Sequence, residues 1–117
     1  MATTIQYVTY KKIVSAGVEA YDIVPFDLNG KQFKEVTINV DTTGGAVTLN
    51  LPEISTLKGN YNLVIKVVRT AGANNVVVTA SGSDKIGSAT TITLNAINKS
   101  TEVNPIETIN WNGVITA

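Results

Sequence analysis

The chain has 117 residues, with nine Lys plus Arg against nine Asp plus Glu, and it contains neither His nor Cys. Zero net charge leaves no basic excess to hold a phosphate backbone, so nucleic acid is not expected as a partner. Without Cys there is no disulfide framework, thiolate nucleophile or zinc–sulfur site, and without His the commonest general base and metal ligand are gone.

The length fits one domain. Sixteen Thr, 15 Val and 12 Ile make the composition strongly β-branched, and 12 Asn with nine Gly supply turns. Alternation over Thr3 to Tyr10 predicts a first strand, broken by Lys11-Lys12 and followed by a short piece at Ile13 to Ser15. Met1 to Lys12 shows no basic stretch leading into an apolar run, so no secretory signal is read there. No apolar stretch approaches the roughly 18 residues that span a bilayer, and no membrane partner is expected.

Glu19 to Val24 predicts another strand, limited by Pro25, and Asn29-Gly30 marks a hairpin turn. Residues 35 to 51 predict the clearest hairpin. Val36, Ile38 and Val40 share one face of the first arm, and Val47, Leu49 and Leu51 share one face of the second. Asp41 to Gly45 forms the connection. Ile54 and Leu57 stand three apart, the spacing of a single helical turn packed on the core.

Tyr61 to Arg69 differs from the hairpin. Leu63, Ile65 and Val67 form one apolar face, but Val64 and Val68 stand on the other beside Lys66. Val76-Val77-Val78 repeats the feature. A strand apolar on both sides is covered on both sides. Val64, Val68 and Val77 are therefore read as an oligomer interface, consistent with only 15% charged residues. Further strands are expected over Ala89 to Leu94, Ile106 to Trp111 and Val114 to Thr116, the last two joined by a hairpin turn at Asn112-Gly113. No strict internal repeat is read. The pattern predicts an all-β fold, an antiparallel β-sandwich of jelly-roll type with nine or ten short strands.

Chemistry-bearing residues are sparse. Asp41 and Asp84 sit in small-residue loops and offer carboxylates, but calcium takes six to eight oxygens and several grouped acids, so both are read as turn caps. No G-x-S-x-G pattern occurs, and no catalytic residue, metal site or cofactor is expected. Trp111, beside Asn110 and Asn112, and Tyr61 are the candidates for a glycan contact. Ile109 and Trp111 share a strand face, however, which points to a core or interface role for the tryptophan.

Three stretches stand in order: Leu51-Pro52-Glu53-Ile54-Ser55-Thr56-Leu57-Lys58-Gly59, then Leu63-Val64-Ile65-Lys66, then Asn75 to Leu94 with its Thr79-Ala80-Ser81-Gly82-Ser83-Asp84-Lys85-Ile86-Gly87 centre. In order and spacing they resemble a module of bacteriophage virion proteins, especially tail-fibre and head-fibre heads. The ending Thr108 to Gly113 departs from the D-G-x-x-W type of that module. The resemblance implies a non-enzymatic structural protein on the virion, assembled in the host bacterial cytoplasm as a homotrimer. Other virion proteins of capsid or tail, and a host-surface glycan, would be its further partners. Residues 1–34 would be N-terminal strands with an attachment segment, and 35–117 the fibre-head-like core of one 1–117 domain. The alternative reading is a carbohydrate-binding sandwich used for adhesion.

Overall fold

The computed structural model describes residues 8–14, 20–24, 33–57, 63–106 and 109–116. In chain order the strands are β1 (Val8–Val14), β2 (Ala20–Asp22), β3 (Phe33–Asp41), β4 (Val47–Asn50), β5 (Val64–Ala71), β6 (Val76–Thr79), β7 (Lys85–Ile86), β8 (Thr91–Leu94), β9 (Ser100–Pro105) and β10 (Asn110–Thr116). The expected turn at Ile54–Leu57 is a 3-10 helix with both of those residues buried. The chain is all-β.

The strands form a six-stranded sheet, β1-β3-β5-β9-β10-β7, and a four-stranded sheet, β2-β4-β6-β8. The first six strands alternate strictly between the two. β1, β3 and β5 run parallel in one sheet, and β2, β4 and β6 run parallel in the other. Parallel neighbours need a crossover, and here each crossover is a strand of the opposite sheet. The chain therefore coils three times, and β8 to β10 close the third coil with antiparallel pairs.

These mixed sheets correct the antiparallel, jelly-roll expectation. The expected hairpin over 35–51 is an arch: β3 lies in one sheet and β4 in the other, each paired with the strand one coil later. Val36, Ile38 and Val40 thus face Val47, Leu49 and Leu51 across a common core rather than lying beside them. Both geometries satisfy the same period of two, which explains why alternation could not separate them.

Two assignments of breaks and turns also change. Lys11-Lys12 do not break β1, because the ladder runs through them (Lys11↔Thr37, Lys12↔Ile38). Asn112-Gly113 is no turn but the middle of β10, where Gly113 pairs with Val103. A Cβ there would lie 2.7 Å from both Ile86 Cγ2 and Ile92 Cδ1, so glycine serves close packing rather than positive φ. Asn29-Gly30 lies outside the described residues.

The coils conceal a repeat. From Glu35↔Val64 to Val40↔Arg69, and from Val47↔Val76 to Asn50↔Thr79, every partner is 29 residues along the chain. Stacked coils of this kind bury a continuous core that no single coil could close. Val36, Ile38, Val40, Leu49, Ile65, Val67, Val76, Val78 and Leu94 are fully buried in it. Each such side chain contributes roughly 1.5–3 kcal/mol relative to exposure.

Candidate functional site

Among the described residues, three of the four buried polar side chains gather at two places, the fourth being Thr101 on β9. One is the stack of the arch 41–46 on the arch 70–75. Thr42 is fully buried. Its hydroxyl donates to the Asn74 carbonyl at 2.7 Å and accepts from Asn74 N at 3.2 Å, while Asn74 Nδ2 donates to the Thr42 carbonyl at 2.7 Å. Thr42 N donates to Ala71 O at 2.9 Å, and Thr70 Oγ1 donates to Val40 O at 3.1 Å. Gly72 (φ +91°) lets the upper arch lie directly on the lower one. Arg69, 4% exposed, closes the end of the core, with Nη2 donating to Gly72 O at 2.7 Å and Nη1 reaching Leu94 O at 3.5 Å. Its Nε has no hydrogen-bond partner among the described residues.

The other gathering joins the two halves of the resemblance motif. Asp84, 6% exposed, accepts from Ile54 N at 2.8 Å and so caps the 3-10 turn from a loop 30 residues later. Ser81 Oγ donates to Leu51 O. Gly82 (φ +59°) lies under Glu53, whose carboxylate would sit 3.1 Å from an added Cβ. Side chains of Ser81–Gly87 thus satisfy backbone groups of Leu51–Leu57.

Asp41 caps its own turn, accepting from Thr43 Oγ1 and, at 2.9 Å, from Thr43 N. These two bonds, the hydroxyl's first, hold its carboxyl below the usual aspartate range. Both aspartates thus act as caps, as expected. Among the described residues no group of three or more metal-ligating side chains occurs. The sequence also holds one S-x-x-K spacing, Ser55 to Lys58. Ser55 is exposed on the 3-10 turn, and Lys58 lies outside the described residues.

Trp111 is fully buried, and its Nε1 has no hydrogen-bond partner among the described residues. It cannot offer a stacking face to a sugar, which corrects the glycan-contact reading in favour of its core alternative. Tyr61 lies outside the described residues.

The three candidate interface valines are half-buried, but they do not share a surface. Val64 and Val68 lie on the outer face of the six-stranded sheet, where they alternate with the buried Ile65 and Val67. Val77 lies on the outer face of the four-stranded sheet, between the buried Val76 and Val78. The core separates the two faces.

Thr42, Gly72, Asn74 and Arg69 escaped the sequence reading. Their signal was the 29-residue offset, which sets Val36–Asn50 over Ile65–Thr79. Searches against protein-family models, curated proteins and solved structures find no match for this chain.

Proposed function

We propose that this chain is a bacteriophage structural protein, a head-fibre, capsid-decorating or tail-fibre subunit. It is a β-sandwich that acts by self-assembly, as a homotrimer, on the virion. The observation that carries the reading is the junction of Leu51–Leu57 with Ser81–Gly87. The residues behind the resemblance are the ones that lock the coils: Asp84 on Ile54 N, Ser81 on Leu51 O and Gly82 under Glu53. The spacing of these residues therefore has a structural role in this chain, which supports the reading.

The remaining chemistry fits a scaffold. Thr42, Arg69 and Asp84, three buried polar side chains, all bond to backbone atoms of the chain itself. Their hydrogen-bonding capacity goes into holding shape. The strand faces carrying Val64, Val68 and Val77 are only half-covered by a single copy and are available to a partner. The adhesive reading is set aside, since burial of Trp111 removes its best platform.

The test is direct. Particles purified from a producing host, probed by mass spectrometry and immunogold labelling, should carry the protein in many copies at a fixed position. The isolated chain should sediment as a trimer at micromolar concentration. Absence from the particles, or a stable monomer, overturns the proposal.

A further inference from the structure

We infer that the outer face of the six-stranded sheet, centred on Val64, Lys66 and Val68, is where copies of this chain join, with Lys66 of one copy set against Glu102 of the next. The inference rests on the self-assembly reading above and names its interface.

β5 is the third strand of six, so these residues stand near the middle of the sheet. All three are half-buried by their own chain. Across the ladder Lys66 stands opposite Thr37 on one side and Glu102 on the other. Among the described residues no ion pair closes between Lys66 and Glu102, although their backbones are direct partners. The face thus presents two apolar side chains flanking a cation, with Glu102 one strand away on one side and Glu35 opposite Val64 on the other, where its carboxylate accepts from Thr37 Oγ1 at 3.3 Å. Such a pattern is self-complementary. A second copy turned about a common axis brings anion to cation and valine row to valine row, so contact leaves neither charge buried alone.

The opposite face lacks this property. Val77 stands between Thr48 and Thr93 in the ladder. The charge that the described strands place on that face, Asp22, is already engaged by Asn50 Nδ2 at 2.9 Å. Charge complementarity therefore selects the six-stranded sheet and leaves Val77 outside the contact.

The experiment is analytical ultracentrifugation of the full chain and of charge variants. Lys66→Glu and Glu102→Lys should each weaken association by roughly 30-fold, and the double exchange should restore it to within about threefold of the wild type. Val64→Thr/Val68→Thr, which keeps β-branching, should also weaken it, while Val77→Glu should not. Circular dichroism and the urea midpoint report that each variant is folded. If the wild type associates but the face variants associate equally well, this interface is wrong and self-assembly stands. Dissociation by Val77→Glu alone moves the contact to the other sheet and also overturns the assignment. A wild type that stays monomeric to about 100 µM removes the self-assembly reading itself.

Discussion

Gly72→Ala tests the stacked arches most sharply. The substitution asks an L-residue to hold φ +91°, and it places a Cβ 2.3 Å from both Thr42 C and Thr43 N. The backbone conformation alone costs about 1–2 kcal/mol. The collision is with main chain, so it cannot be relieved by a side-chain rotation. Separating the arches strains Thr42 N to Ala71 O, Thr42 Oγ1 to Asn74 O and Asn74 Nδ2 to Thr42 O. Each of those bonds is worth about 1 kcal/mol net. Together the terms reach about 4 kcal/mol or more, a large part of the roughly 5–15 kcal/mol that holds a domain folded.

Gly87→Ala is the control, because φ is +62° and nothing lies within 4 Å of the added carbon. It should cost only about 1 kcal/mol. Urea unfolding followed by fluorescence of Trp111, the single tryptophan, measures both. With a slope of about 2 kcal/mol per molar, Gly72→Ala should lower the midpoint by about 2 M and Gly87→Ala by about 0.5 M. Costs equal within about 0.5 kcal/mol would refute the stacked-arch argument.

Three further outcomes are expected. Asp84→Ala removes the buried acceptor of Ile54 N and should cost about 2–3 kcal/mol, while Asp84→Asn, which keeps an oxygen, should cost about half as much. Equal costs in urea would show that the cap is not what holds the junction. Trp111→Ala should destabilise by about 3–5 kcal/mol, and Trp111→Phe by far less, because it also removes an indole N–H that no described residue pairs; calorimetry gives both values. Asp41 should titrate below an ordinary aspartate when its carboxyl carbon is followed by NMR. Its depressed folded pKa means that its contribution is present above the unfolded value, about 3.9, and is lost as pH falls through the lower folded one. A midpoint at or above the ordinary range would refute the Thr43 contacts.

Much of the local structure was legible in the residues. Alternation placed most strand cores, although β9 (Ser100–Pro105) lies where no strand was expected, and the three-residue spacing of Ile54 and Leu57 marked a turn that the structure forms with both side chains buried. The inward sets Val36, Ile38, Val40 and Val47, Leu49, Leu51 were read correctly as dry faces. Asp41 and Asp84 were read correctly as caps, although only the fold shows that Asp84 caps a turn 30 residues away.

Pairing was not legible. A short glycine-containing link between two alternating strands suits a hairpin in one sheet and an arch between two sheets equally well, since both put the same side chains in the dry layer. What separates them is the next coil. Arch 41–46 is held by Ala71, Gly72 and Asn74, which come about 30 residues later in the chain and act only once it has wound round. A periodicity of two records which way each side chain points. It carries no record of which backbone lies alongside, because ladder hydrogen bonds join main-chain groups that every residue except proline possesses in full. Residue identity therefore determined the strands and their buried faces, and tertiary stacking decided sheet order, direction and the place of the buried polar groups.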